Sequence, residues 1–436
     1  MRSARTGKYH GSGHHCTGGG RTPRPRLPAW PQFMRGFYSR LLQPAVHDAT
    51  RNCSARAAGK PLCSLPRRTR GPLIDPERLT ECLLRRDTFT PAASQNILAA
   101  AWPAFYRRVA RSAGTRDKPH DWWAGPALLQ ILFAQEHNVL YCRLARIYPG
   151  LDNHRLHTEA RNISFALLEK IHLQWRASMV PASDWHRPLQ RLRRVALAHE
   201  DVRHSNPSSI DHLLACITPL LPDRFAVRSV VTGTHQGPRG GFGFVALHTP
   251  RSREFIEHQG AANLWYSFGI GNAGIFELHN HCTASRRLPV PNSERFENPV
   301  ASAIKDHRAS HPASYNALRQ LLSLPPIRHF ADLDPRWASD IERSYARVDD
   351  IDGLIGMLAE RRGADSVLGE TAMRCLTVFD RASCRQADLT ALGKSWLREN
   401  SLQTMLLRHY PVLQDALYGI DDPFARWRPV VLIEPV

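Results

Sequence analysis

The stretch WWAGPALLQILFAQEHNVLYCRLARIYPGLDNHRLHTEARNISFALLEKIHLQW, residues 122–175, decides the fold because it encodes two helices joined by a short turn. Apolar residues recur at helical spacing on one face of each half. These positions are Leu129, Phe133, Leu140 and Leu144 in the first half, and Leu156, Ile163, Leu167 and Ile171 in the second. The turn falls at residues 148–152, where Asp152 or Asn153 is placed to cap the second helix. The sequence therefore predicts an antiparallel helical hairpin.

Glu136 is an unusual residue in this hairpin, because it falls on the apolar face between Phe133 and Leu140. A buried carboxylate must accept hydrogen bonds or be paired with a cation, because burying it without a partner costs on the order of several kcal/mol. One interpretation is a structural hydrogen-bond network at a helix crossing. The other is a residue that supports the ligands of a cofactor.

The chain of 436 residues is 42% apolar, which is enough to bury a large core in one large domain or two. Its positive charge is concentrated at the start, because residues 1–70 hold 14 Lys or Arg and one acid, Asp48, and so supply +13 of the net +19. This region is rich in Gly, Pro, Ser and Arg and has no apolar periodicity. We expect a disordered basic tail, residues 1–71, before a domain at residues 72–430.

Two alternatives for the tail stay open. Clustered arginines suit a nucleic acid or an acidic membrane, but no binding motif or interleaved aromatic residues accompany them, which argues against nucleic acid. The second alternative is that this tail is not the natural N-terminus of the protein.

Neither a signal peptide nor an apolar run of 18 residues is recognised, so the sequence predicts a non-exported protein, cytoplasmic or peripheral to a membrane, without a transmembrane segment. The nine cysteines are irregularly spaced and form no CxxC motif. This pattern argues against a disulfide framework or a zinc site and favours a reducing compartment.

The remaining segments predict a mainly α protein. Helices are expected from Ile74 onward, over residues 91–106, and repeatedly after Pro299, whereas residues 226–260 predict turns or a small ribbon. The Gly-rich run GPRGGFGF, residues 237–244, lacks the Lys-Ser/Thr that follows a phosphate-binding loop.

The run LFAQEHNVLYCRLARIYPGLDNHRLHTEARNI, residues 132–163, resembles the haem peroxidases of the animal type. The paired Trp122 and Trp123 and the triplet at residues 170–172, KIH, resemble the branch of bacterial peroxidase-like proteins and fatty-acid α-dioxygenases. Weaker matches follow in order across residues 72–430. The resemblance implies a mainly α peroxidase-like domain that binds haem and oxidises a small molecule, such as a fatty acid, with peroxide or dioxygen.

Carried over position by position, the resemblance finds the main catalytic positions changed. The iron-ligating histidine would fall on Thr218 and the radical tyrosine on Ala215. The distal histidine would fall on Arg108, and a calcium-binding aspartate on Val109, so calcium is not expected.

Three polar positions match the family better. His172 and Arg408 match residues that bind the substrate carboxylate in the dioxygenase branch, and Arg with His is a sensible carboxylate clamp. The alternative is that each is structural. Lys305 stands near the position of an arginine that faces a haem propionate.

Two functional hypotheses follow. The first is a haem-dependent oxidoreductase whose iron ligand is another of the 22 histidines, with His204, His212, His279 and His281 as candidates. The second is a degenerate relative that keeps the fold and acts as a binding or scaffolding protein.

Overall fold

The computed structural model describes residues 73–111, 123–179, 220–231, 241–247, 252–289, 295–309, 314–363, 366–379 and 389–430, together with positions 213, 217 and 233. The predicted tail lies outside these residues. So do residues 188–199 and nearly all of residues 210–217, for which the sequence also predicts short helices. Within the described ranges, no helix is both long enough and apolar enough to cross a bilayer.

The described residues form mostly helices. In chain order these are α1 Pro76–Leu79, α2 Ile97–Arg111, α3 Ala124–Ile147, α4 Asn153–Met179, α5 Phe244–Leu247, α6 Ser252–Gln259, α7 Ala261–Ile270, α8 Pro299–Ala309, α9 Tyr315–Leu321, α10 Ala338–Ser344, α11 Gly353–Ala359, α12 Glu370–Phe379, α13 Ala391–Glu399, α14 Leu402–His409 and α15 Gln414–Leu417. A π-helical turn, Thr80–Leu84, follows α1, and 3-10 turns occur at Thr283–Arg286, Phe330–Asp332, Val348–Asp350 and Pro411–Leu413.

The strands in the described part of the chain are short and pair two by two, all antiparallel. They are β1 Pro91–Asn96 with β4 Asn272–Gly274, β2 Arg224–Phe225 with β3 Phe242–Gly243, and β5 Leu288–Pro289 with β6 Phe296–Glu297. The ribbon expected within residues 226–260 is present only in part, as β3 paired with β2 just before this stretch. The expectation of turns is wrong for residues 244–247 and 252–259, which form the helices α5 and α6. The expectation of one helix over residues 91–106 is wrong in its first part, because residues 91–96 form the strand β1, which pairs with a distant segment.

The predicted hairpin is confirmed. Helices α3 and α4 run antiparallel on either side of the turn, and the backbone N–H of Arg155 donates to Asp152 Oδ1 at 2.8 Å, so Asp152 is the cap. All eight predicted apolar positions on the two helix faces are buried in one core. Helix α2 packs against both hairpin helices and thereby brings its aromatic residues onto α4.

The C-terminal segment closes over this core through one close approach. The backbone N–H of Trp427 donates to the carbonyl of Gly269 at 2.8 Å. A Cβ at position 269 would lie 2.1 Å from the indole ring of Trp427, so only glycine lets the ring pack there. Asn96 fixes the same segment by donating to the carbonyls of Pro423 and Ala425.

Candidate functional site

His172 lies in the middle of an aromatic cluster between α2 and α4. Its side chain is 1% exposed, and the indole Nε1–H of Trp102 donates to its Nδ1 at 2.9 Å. The phenol ring of Tyr106 stacks on the imidazole with the ring centroids 3.5 Å apart and the planes 6° from parallel. Because an indole is a donor only, Nδ1 must be the accepting nitrogen and a neutral His172 carries its proton on Nε2.

Further hydrogen bonds hold the rings around His172 in place. Tyr106 donates its hydroxyl to Glu169 Oε1 at 2.8 Å, and Trp175 donates its indole N–H to the carbonyl of Ala99 at 2.8 Å. We call Trp102, Tyr106, Glu169, His172 and Trp175 the His172 cluster. One edge and one face of the imidazole are thus covered by residues of this chain.

Arg408 belongs to a second, charged group of residues between α3 and the C-terminal helices. Its guanidinium donates to Glu136 Oε1 and to Asn400 Oδ1, and it lies over the ring of Trp396 at 5.1 Å. His409 Nε2 approaches the other carboxylate oxygen, Glu136 Oε2, at 3.0 Å. We call Glu136, Trp396, Asn400, Arg408 and His409 the Glu136 cluster.

The Glu136 cluster shows how the carboxylate on the apolar face of the first hairpin helix is paired. Glu136 is 2% exposed, and each of its oxygens faces a cationic or potentially cationic partner. The prediction that it is paired is confirmed. Arg408 keeps 31% of its side chain exposed, so its guanidinium reaches the edge of the core.

The predicted carboxylate clamp joins two residues that the structure places on different helices, His172 on α4 and Arg408 on α14. His172 contacts aromatic rings, whereas Arg408 contacts a carboxylate, an amide and an indole. A substrate carboxylate at Arg408 would compete with Glu136 for the same guanidinium. The clamp stays a prediction.

The main family positions for peroxide chemistry lie on α2 and in the segment after residue 213. Arg108 is half-buried near the end of α2, and Val109 is buried beside it. Thr218 and Ala215 lie outside the described residues. On either side of Thr218, Ile217 and Leu220 are buried, and the carbonyl of Leu220 accepts from the N–H of Gly274 at 2.9 Å.

Of the four candidate replacement ligands, His204 and His212 lie outside the described residues, whereas His279 and His281 lie within them. His279 has φ 54°, and its two ring nitrogens face oxygen acceptors, the carbonyl of Arg85 at 3.2 Å and Asp340 Oδ2 at 3.0 Å. His281 is buried, and neither ring nitrogen has a hydrogen-bond partner in the described part of the chain. Burial, together with the neighbouring Arg86 cation, lowers the pKa of His281 to about 3. At neutral pH it is therefore a neutral imidazole, the form that binds metals.

Lys305, the predicted propionate contact, is exposed on α8. Its neighbour Asp306 is exposed as well, whereas His307 on the same helix is buried against Gly353. Lys305 thus lies on the outer side of this helix, and its proposed role stays a prediction.

The residues at the carried-over positions do not fit a haem held by histidine. A threonine hydroxyl is not among the side chains that ligate haem iron, and a guanidinium has no lone pair to accept a proton from peroxide. Among the described residues, no group of three or more His, Cys, Asp or Glu is arranged to hold a metal ion.

Comparison with known proteins identifies the family to which this chain is related. The family model for animal haem peroxidase matches residues 108–414. Alpha-dioxygenase PIOX of Pisum sativum is 24% identical over 355 residues, which cover 70% of this chain and 55% of that protein, and alpha-dioxygenase 1 of Arabidopsis thaliana is 23% identical over 354 residues with the same coverage. This chain thus spans about half the length of the curated relatives it matches.

Solved structures agree on the fold. The fatty acid alpha-dioxygenase of Oryza sativa superposes with a TM-score of 0.66 at 17% identity, covering 81% of each chain. Peroxidase A of Dictyostelium discoideum superposes with a TM-score of 0.61 at 12% identity, covering 81% of this chain and 91% of that one. The predicted mainly α peroxidase-like fold and the dioxygenase branch are confirmed, and the chain belongs to the animal haem peroxidase family.

Proposed function

We propose that this chain is a non-catalytic member of its family, which uses the retained helical fold to bind a carboxylate-bearing amphiphile rather than to oxidise it. The proposal is supported by Arg108 and Thr218, the residues that stand where the resemblance carries over the family's two histidines. Each replacement removes a different chemical requirement.

At the distal position, catalysis needs a base that takes a proton from the peroxide. An arginine side chain such as that of Arg108 has hydrogen-bond donors only and offers no acceptor for this proton. At the proximal position, Thr218 would replace the imidazole that ligates the iron. Either loss alone would slow peroxide chemistry strongly, and both together support a binding role.

The ligand class follows from Arg408 and from the relatives. Proteins named fatty acid alpha-dioxygenase match this fold, and one rice variant was crystallised with palmitic acid, at a TM-score of 0.67. Arg408 is a partly exposed cation that the resemblance aligns with a carboxylate-binding residue, and it already binds one carboxylate, that of Glu136. A fatty-acid carboxylate is therefore the ligand that this guanidinium suits.

Binding and turnover can be tested on the same preparation. We expect palmitate to bind the full chain saturably in isothermal titration calorimetry, while an oxygen electrode records no consumption of dioxygen above the protein-free rate. Arg408→Lys, which keeps the charge and loses the planar fork, should weaken binding about tenfold, equivalent to about 1.4 kcal/mol. Arg398→Gln, a change at an exposed arginine on α13, is the matched control and should leave affinity unchanged. Palmitate-dependent oxygen uptake, or equal affinity in both variants, would contradict the proposal.

A second candidate function, a haem-dependent oxidoreductase, is favoured by one observation, the buried imidazole of His281 without a hydrogen-bond partner among the described residues. The Arg86 guanidinium beside it opposes a metal cation, which makes this candidate the weaker one. If His281 ligated haem iron, His281→Gln would abolish a sharp Soret band of the haemin-loaded protein. An unchanged spectrum in this variant would exclude His281.

A further inference from the structure

Trp396 on α13 lies against two guanidinium groups, only one of which belongs to the Glu136 cluster. The indole is 2% exposed, and the guanidinium carbons of Arg143 and Arg408 each lie 5.1 Å from the centroid of its ring. The two carbons are therefore at most about 10 Å apart. An anion beside this ring would lie within reach of both cations, since surface charges act over about 8 Å at physiological ionic strength.

Arg143 extends from the same side of α3 as Glu136. Seven residues separate the two positions, which is close to two full helical turns, so their side chains leave the helix in nearly the same direction, roughly 10 Å apart along its axis. Arg143 is exposed, and in the described part of the chain its charge has no acidic partner. It thus brings an uncompensated cation to the edge of the Glu136 cluster.

This uncompensated cation matters because the charge of Arg408 is already balanced by Glu136. A ligand carboxylate at Arg408 would also lie close to Glu136, and two negative charges at short distance repel each other. Arg143 offsets this repulsion. With Glu136 in place, the two arginines and the glutamate carry a net charge of +1, which matches a single carboxylate.

The hydrogen-bond donors beside Trp396 suit an anion as well. Arg408 donates to Glu136 and Asn400, so three of its five N–H groups have no partner among the described residues. The indole Nε1–H of Trp396 is buried, and no described residue accepts from it. Guanidinium and indole groups only donate hydrogen bonds, whereas an ionised carboxylate only accepts them.

We propose that Arg143 is a second cation of the ligand site, which binds the carboxylate of the ligand together with Arg408 beside Trp396, while Glu136 stays paired with Arg408. This inference rests on the proposed function and extends it. Arg143 is then the residue that gives the site its net positive charge, and it makes the site select a carboxylate over an uncharged head group.

The test is a calorimetric titration of the full chain with palmitate. Arg143→Gln removes the charge and leaves Glu136 and Arg408 unchanged, so it should weaken binding about tenfold. Arg146→Gln is the matched control, because it removes the same charge from an exposed position one turn further along α3, where the side chain contacts no described ring or acid. This control should leave the affinity within about a factor of two.

Arg143→Lys separates the charge of Arg143 from the packing of its planar group on Trp396. Lysine keeps the positive charge, so the affinity for palmitate should stay within about threefold of that of the unchanged chain. Arg143 is exposed, so both variants at this position should fold, which circular dichroism verifies. A loss in Arg143→Lys as large as that in Arg143→Gln would overturn the inference.

The same titrations separate this inference from the proposed function. If Arg408→Lys weakens palmitate binding and Arg143→Gln does not, the inference is overturned and the proposed function stands. Equal losses in Arg143→Gln and Arg146→Gln would overturn the inference too, because any arginine of this surface would then do. If the unchanged chain binds no palmitate, the proposed function and the inference both fail.

Discussion

The Glu136 cluster and the His172 cluster both link the hairpin to another part of the chain, yet they satisfy their buried polar groups in different ways. Glu136 is neutralised by the charge of Arg408, which remains partly exposed, with His409 on its other oxygen. His172 is held by one neutral hydrogen bond from Trp102 and by the stacked ring of Tyr106. The family resemblance assigns Arg408 and His172 to one carboxylate, whereas in this chain each has its own internal partner.

Charge pairing in one cluster and neutral hydrogen bonding in the other predict different losses of stability when one partner is removed. A buried carboxylate that loses its cation is left with an uncompensated charge, which is strongly destabilising. A buried imidazole that loses a neutral donor loses one hydrogen bond and some packing, which costs less. Breaking the Glu136 cluster should therefore have the larger effect on stability.

The largest effect is expected for Arg408→Met, which keeps much of the side-chain volume and removes the charge. The free energy of unfolding should fall by about 3 kcal/mol, the lower end for a broken buried pair, because Arg408 is partly exposed. Urea denaturation followed by circular dichroism measures this change. Glu136→Gln in the same background should recover part of the loss, and additive losses would show that the two residues do not interact.

Trp102→Phe tests the His172 cluster, in which the buried imidazole accepts a hydrogen bond from a neutral donor. It removes the indole N–H and leaves Nδ1 of His172 without its donor, together with a small cavity, so we expect a loss of about 2 kcal/mol. The same denaturation experiment applies, with Tyr106 unchanged so that the stacked ring stays in place. A loss larger than that in Arg408→Met would reverse the ranking of the two clusters.

Acidification is expected to act on His137, the residue after Glu136. The pKa of His137 is lowered in the folded chain to about 4, so the unfolded chain binds more protons below its ordinary pKa of 6.5. The contribution of neutral His137 to the free energy of unfolding is therefore present in full above pH 6.5. It is lost as the pH falls toward 4, by up to about 3 kcal/mol. His137→Gln should flatten the pH dependence of the free energy of unfolding over this window, and His258→Gln, at an exposed position, should not. Equal slopes in all three proteins would contradict the assignment.

Lys305→Ala should have the smallest effect. An exposed residue away from both clusters typically contributes within about 0.5 kcal/mol, and Lys305 is exposed on α8. Thermal unfolding should be unchanged. A weaker binding of haemin in this variant, at unchanged stability, would instead support the predicted propionate contact.

The sequence predicted the features that depend on neighbouring residues. The two hairpin helices, their buried faces and the cap at Asp152 follow from periodicity and turn chemistry within a few residues. The strand β1 was mistaken for helix because its Ala-rich sequence gives no sign of the distant segment that pairs with it. Helix α6 was missed as well, because it lies in a stretch whose glycines and valines predict turns or a ribbon.

The partners of the candidate site residues were out of reach for the same reason. Trp102 lies 70 positions before His172, and Glu136 lies 272 positions before Arg408, so only the folded chain brings them together. His409 carried a usable signal, since it follows Arg408 directly.

The most direct test of the account is a titration of the purified full chain with haemin, followed at the Soret band. We predict no sharp band and no stoichiometric end point, because the resemblance carries the family's two histidines over to Thr218 and Arg108, and neither side chain suits their roles. A sharp Soret band that saturates at one haem per chain, accompanied by oxidation of a fatty acid, would contradict it.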